Sequence, residues 1–213
     1  MSFTRLSFFP LNLVLYPGES LNLHIFEPRY KQLIAHCIKS GMPFGVVPYI
    51  EGKIKDHCTT AEIVSVEKVY EDGRMDIKTI GREVFEIENF ENPYLDNLYA
   101  GGAVNKLLYF ETEAYENTVT TCLMLLNELK LYVGYDLTAI LNYDEPLSWQ
   151  LGHKVGLSVE SEYQLLLETT EEARLQLIIA HLNRVIPILK DVNRTKERIK
   201  MNGHFKTLDP ISF

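Results

Sequence analysis

From Phe9 to Tyr30 nearly every residue narrows the choices open to the backbone. Leu11, Leu13 and Leu15 alternate with Asn12, Val14 and Tyr16, the period of a strand whose faces differ mildly in polarity. Pro17-Gly18 is a turn pair: proline presets one dihedral and glycine accepts positive φ at the next. Leu21, Leu23 and Ile25 then alternate with Ser20, Asn22 and His24, predicting a half-buried strand. Pro28 fits the first turn of a helix, where an N–H has no partner to lose. Tyr30, Leu33, Ile34, Cys37 and Ile38 follow at helical spacing, and Gly41 is placed to end that helix in the left-handed region. Glu27 and Arg29 are close enough to pair with each other, and His24 lies on the polar face of its strand, where it can bond across the sheet.

The period stays near two as far as residue 110. Phe44–Ile50 is an apolar run broken by Pro48, and Ala61–Tyr70 is a strand pattern. Glu71-Asp72-Gly73-Arg74 predicts a hairpin turn with positive φ at both central residues, and Met75–Ile80 returns as the second strand. Gly81-Arg82 marks a corner before Phe85 and Ile87 alternate with Glu86 and Glu88. A loop, Asn89–Gly102, leads to one more strand, Ala103–Phe110. Beyond it the period becomes helical. Val119, Cys122, Leu126, Leu129 and Val133 precede a stop at Gly134, and a short helix is expected over Leu147–Val155. Ser158 can cap a helix reaching Leu167, and Thr169 with Glu172 has capping-box spacing. A long helix follows, with Leu175, Ile178, Ile179, Leu182, Ile186, Leu189 and Val192 as its stripe and a kink expected at Pro187. The fold class is therefore α+β: a partly closed barrel of about six strands with one early helix, then a helical bundle containing a long C-terminal helix. We place a β-rich part at residues 1–111 and a helical part at 112–213, packed against each other.

Phe9-Pro10-Leu11, Leu15-Tyr16-Pro17-Gly18 and Leu23-His24-Ile25-Phe26-Glu27-Pro28-Arg29-Tyr30 together resemble the opening of the amino-terminal, substrate-binding domain family of Lon proteases. The likeness continues through Thr59-Thr60-Ala61-Glu62-Ile63, the Asp72-Gly73 hairpin and Gly81-Arg82-Glu83-Val84-Phe85. It ends in Leu165-Leu166-Leu167-Glu168 and Glu172-Ala173-Arg174-Leu175, which look like the family's short helix leading into its long one. Two departures stand out: Cys58 where the family usually has glycine, a change expected at a turn, and Val84 where arginine is common, a change expected in surface charge. The resemblance implies a PUA-like barrel followed by helices, and a role in holding unfolded or damaged proteins. It also implies a stand-alone member, because neither the ATPase nor the protease motifs of Lon are present in this sequence.

The motifs that carry chemistry are missing. A P-loop needs glycine before and a hydroxyl after its Gly-Lys pair; here Val47 and Ile54 stand in those places around Gly52-Lys53. Neither Gly-x-Ser-x-Gly nor His-Glu-x-x-His nor Cys-x-x-Cys occurs. The adjacent pairs His36-Cys37 and His57-Cys58 point about 100° apart on a helix or to opposite faces of a strand, so neither reads as a zinc site. We expect no enzyme activity, no cofactor and no metal.

Apolar residues make up 46% and charged residues 23%, a soluble composition with no apolar run near the roughly 20 residues of a bilayer span. The amino terminus runs straight into a strand pattern, which argues against a secretory signal. Cys37, Cys58 and Cys122 have no paired spacing, which fits a reducing, cytoplasmic location. The net charge of −8 argues against nucleic acid and anionic membranes. Residues 190–206 carry six Lys or Arg against two acids, so an RNA-binding PUA-like protein is the alternative. Tyr49 after a proline, and Tyr94 and Tyr99 in the long loop, are the candidate contact residues for a polypeptide, since tyrosines present adaptable amphipathic surface. The expected partners are polypeptide clients, or a protease or chaperone on which the chain docks.

Overall fold

The computed structural model describes residues 4–110 and 114–204. Among them, seven strands form one sheet: β1 (Thr4–Leu11), β2 (Ser20–Ile25), β3 (Phe44–Ile50), β4 (Lys53–Ile54), β5 (His57–Val69), β6 (Met75–Ile87) and β7 (Ala100–Lys106). The helices are α1 (Pro28–Ser40), α2 (Glu116–Val133), α3 (Leu147–Leu151), α4 (Val159–Leu167) and α5 (Glu171–His204). Two compact units result, Met1–Phe110 with Leu157–Thr169, and Glu111–Gly156 with Thr170–Phe213. Thus residues 157–169 cluster with the strands, although their helical period places them in the second part. The expected boundary at residues 111 and 112 lies outside the described residues.

In the first unit five strands close a ring, β1–β7–β6–β5–β3, completed by parallel pairing of β1 with β3. β2 pairs only with β6, and the two-residue β4 only with β3, so both lie outside the ring. Along β1, Leu6 and Phe8 join Val47, Cys58, Phe85 and Val104 in one core cluster. Phe9 points the other way and stacks on Tyr30 of α1 with ring centroids 3.9 Å apart. There Leu33, Ile34, Phe44, Val46 and Ile77 make a second cluster. Burying each such side chain contributes about 1.5–3 kcal/mol. α4 is fixed to the strands by polar contacts: Tyr16 donates to the Glu162 carbonyl (3.1 Å), Lys55 pairs with Glu160 (2.7 Å), and His57 Nδ1 meets the Tyr163 hydroxyl (3.0 Å).

Several boundaries differ from expectation for identifiable reasons. The first strand is 4–11 rather than 11–16, because Val14, Leu15 and Tyr16 are all buried in succession, which no alternating strand allows. The hairpin closes on a three-residue loop in which only Gly73 has positive φ (+77°), with Gly73 and Tyr70 donating to Tyr70 and Arg74 carbonyls. Gly81-Arg82 is no corner; β6 runs through it, and a bulge places Arg82 and Glu83 opposite Thr60, whose hydroxyl bonds both backbone groups of Glu83. β7 begins at Ala100, because Gly101 and Gly102 lie against the Tyr94 ring and the Asn89 carbonyl, where a Cβ would sit 2.4 and 1.9 Å away. Cys58 is not at a turn: it is fully buried in β5, its sulfur filling space that Gly45 leaves by lacking a Cβ. Val84 is buried, so its difference from arginine concerns the core and not surface charge.

The second unit is helical. Cys122, Leu126 and Leu129 of α2 are buried, as are Leu175, Ile178, Ile179, Leu182 and Ile186 of α5. Glu172 does not reach back to Thr169. It accepts from Tyr115 N–H and the Thr118 hydroxyl, and Thr170 caps α5 by accepting from Ala173 N–H. The helix continues past Pro187, but burial stops with the half-buried Leu189, and Val192 is exposed. Ile38 of α1, also counted in a stripe, faces solvent. Among the described residues no helix is long and apolar enough to cross a membrane.

Candidate polypeptide-binding surface

The loop from Phe90 to Tyr99 folds over β7, admitted by Gly101 beneath the Tyr94 ring. Tyr94 N–H donates to the Tyr99 carbonyl (2.8 Å) and Asn97 N–H to the Tyr94 carbonyl (3.1 Å), closing a tight turn. Both tyrosine rings point inward, with 8% and 4% exposure, and belong to the core cluster around α1. The Tyr99 hydroxyl meets His36 Nδ1 at 2.8 Å, and Leu98 N–H donates to the Gln32 side chain at 2.7 Å, so the loop is anchored on α1. What it turns outward is Leu95 and Leu98, 64% and 58% exposed. Leu95 also holds φ at +52°, a region rarely adopted by a residue with a branched side chain. Beside this loop, Arg5, Ser7, His36, Lys39, Met42 and Tyr99 help to line a hollow of about 480 Å³ between β1 and α1.

The tyrosines named from sequence are thus separated. Tyr94 and Tyr99 are buried in the core cluster around α1, Tyr99 also reaching the wall of the hollow between β1 and α1. Tyr49 is exposed on β3, beside Ile54 of β4. Leu95 and Leu98 escape a sequence reading because a leucine reads as core by default. Their signal is the Tyr-x-x-x-x-Tyr frame: if both tyrosines anchor the loop, the residues between them must turn out.

A second surface lies on the part of the sheet beyond the ring, where β2, β6 and β5 run side by side. His24 and Asp76 are cross-strand neighbours, with Nδ1 and Oδ1 2.5 Å apart. Tyr70 donates to the other carboxylate oxygen at 2.8 Å. Hydrogen bonds from His24 first, then Tyr70, hold the Asp76 carboxyl below the usual carboxylate range. A cleft of about 590 Å³ on this face is lined by Ser20, Asn22, His24, Glu67, Asp76 and Lys78. The Phe26 ring, 58% exposed, lies 6.0 Å from the His24 ring. Glu27 and Arg29 pair at 2.8 Å, as their spacing suggests.

Burial governs the ionisation of the thiols and of the His57–Tyr163 pair. Burial pushes the Cys37 thiol up to about 11 and those of Cys58 and Cys122 up to about 12, so all three stay protonated near neutral pH. Burial also lowers the His57 imidazole below its ordinary value, while the Tyr163 hydroxyl beside it is pushed up to about 12, again chiefly by burial. Among the described residues no three His, Cys, Asp or Glu side chains converge on a point that could hold a metal ion. Lys190, Arg194, Lys196 and Arg198 of the basic stretch are exposed on α5; Lys206 and the Lys200 side chain lie outside the described residues.

Residues 5–184 match the family model described as the ATP-dependent protease La (LON) substrate-binding domain. The crystal structure of a Lon N-terminal domain protein from Xanthomonas campestris is similar at a TM-score of 0.66 and 26% identity, covering 83% of this chain and 98% of that one. The N-terminal domain of a Mycobacterium avium complex Lon protease is similar at a TM-score of 0.60, covering 84% of this chain and 98% of that one; at 16% identity the likeness is one of fold. No curated protein matches the chain. The family match spans the strands, α1 and most of the helical residues. The chain belongs to the Lon substrate-binding domain family.

Proposed function

We propose that the chain is a non-enzymatic recognition module that holds exposed apolar segments of unfolded polypeptides in the cytoplasm, either by itself or while docked on a protease or chaperone. Family membership over residues 5–184 supports substrate recognition as the task. The observation that carries the reading further is the loop in which buried Tyr94 and Tyr99 anchor two outward leucines, one at a costly backbone angle. Leu95 and Leu98 gain little burial within the described fold, whereas a client side chain laid on them would shield both. Ordering a flexible client offsets part of that contact energy, so affinity for one segment should be moderate, on the order of micromolar.

The test is a titration of fluorescently labelled, reduced and carboxymethylated α-lactalbumin, a chain that stays unfolded, against the native calcium-bound protein and mixed RNA. The reading expects saturable binding of the unfolded probe alone and at least a fivefold loss in a Leu95→Ser, Leu98→Ser double variant. Equal binding by the variant would remove the loop from the account. Tight RNA binding with a steep salt dependence would replace it with the nucleic-acid alternative.

A further inference from the structure

We propose that the outer edge of β2, Ser20–Ile25, is a strand-addition site that captures an extended client segment through main-chain hydrogen bonds. This rests on the polypeptide-recognition reading above and names how recognition is made tolerant of sequence. β2 has a hydrogen-bonded neighbour on one side only, β6. The phase of that ladder is set by Gly81 N–H donating to the Glu19 carbonyl. Alternation then turns the backbone groups of Leu21, Leu23 and Ile25 toward β6 and those of Ser20, Asn22 and His24 away from it. None of these three residues has a loop or side-chain partner for its backbone among the described residues. They offer three donors and three acceptors in a row, a pattern that only another extended backbone can match along its length.

Edge strands are normally protected by charge, proline, bulges or brevity. β4, the last strand of the path β1–β7–β6–β5–β3–β4, is only two residues long and carries Lys53. β2 is different: Ser-Leu-Asn-Leu-His-Ile has six residues, no lysine and no proline. Its pairing with β6 runs in unbroken register, whereas β5 against the same β6 has three irregularities. An added strand would also extend both faces usefully. On one face its side chains would lie beside Leu21 and Leu23, which are only partly buried. On the other they would enter the cleft beside Asn22 and His24, whose ring neighbours the exposed Phe26. The fitting ligand is therefore an unfolded segment with apolar residues at alternate positions, read mainly through its backbone.

Amide hydrogen exchange on the whole chain, with and without reduced carboxymethylated α-lactalbumin, tests this. In the free chain the amides of Ser20, Asn22 and His24 should exchange readily while Leu21 and Leu23 are slow; saturating probe should protect the first three. Asn22→Pro removes one outward N–H at a position where an edge strand tolerates proline, and should weaken binding by about tenfold or more. Asn22→Ser keeps the backbone donor and should bind within about twofold of wild type. Probe that binds without protecting these amides, and binds Asn22→Pro as well as wild type, overturns the edge site and leaves the polypeptide reading intact. Probe that does not bind at all overturns that reading and this inference with it. Protection that rises with chain concentration alone, together with a dimeric mass, shows the edge pairing with a second copy and overturns the assignment to a client.

Discussion

At the scale of single residues, position in the core decides which substitutions matter. Tyr94 and Leu95 are adjacent in sequence and opposite in consequence. Truncating Tyr94 to alanine removes a ring packed on Gly101 in the cluster around α1, and should cost about 3–5 kcal/mol of unfolding free energy. Leu95→Ser should stay within about 0.5 kcal/mol of wild type, since an exposed side chain has little packing to lose. Urea denaturation of the two variants measures the difference. His57 gives a pH signature. Its folded imidazole takes up a proton less readily than the unfolded chain, chiefly because it is half-buried. Protonation therefore favours unfolding: the contribution of His57 is complete above the ordinary imidazole range, near 6.5, and is lost as pH falls through it toward the lowered folded value. Urea midpoints between about pH 7.5 and 5.5 should fall for wild type, and fall less for His57→Gln, which has no proton to gain. Carboxyls held low by hydrogen bonds, such as Asp76 and Asp136, lose their contribution only at more acid pH.

At the scale of elements, what is legible in the sequence is what is decided locally. Pro17-Gly18, the alternation of β2, Pro28 at the start of α1 and Gly41 at its end are all in place, with Gly18 and Gly41 at φ of +80° and +69°. Gly134 ends α2, and the Ser158 hydroxyl caps α4 by accepting from Ser161 N–H. What is not legible is decided by distant groups. Residues 12–16 alternate like a strand, yet Tyr16 turns inward to reach Glu162 on α4, far along the chain. Thr169 has capping-box spacing, but the start of α2 claims Glu172 through Tyr115 N–H and the Thr118 hydroxyl, leaving Thr170 as the cap. Tyr94 and Tyr99 look like loop residues, yet Gly101 leaves room for the Tyr94 ring and the Tyr99 hydroxyl is held by His36 of α1. A buried polar cluster in the second unit is equally invisible. The Arg174 guanidinium lies 2.9 Å from Glu171 and 2.8 Å from the Ser148 hydroxyl, and 4.1 Å over the Trp149 ring. Its side chain is 5% exposed, so Arg174→Ala should strand the Glu171 carboxylate and cost about 3–5 kcal/mol. Calorimetry or urea unfolding checks this, and the double change Arg174→Met, Glu171→Gln should recover most of the loss.

At the scale of the whole molecule, five strands of the first unit close a ring, and β2 with the Phe90–Tyr99 loop project features that the ring does not use for itself. One feature is an unprotected backbone edge; the other is a pair of outward leucines. Each suits an extended, apolar chain of no fixed sequence. We propose that the protein holds unfolded polypeptide and returns it intact. Native mass spectrometry after prolonged incubation with unlabelled, reduced and carboxymethylated α-lactalbumin tests it most directly. A complex with the summed mass of chain and probe is expected, from which the probe is recovered at its original mass. Separate masses with no complex, or a probe recovered in fragments, would contradict it.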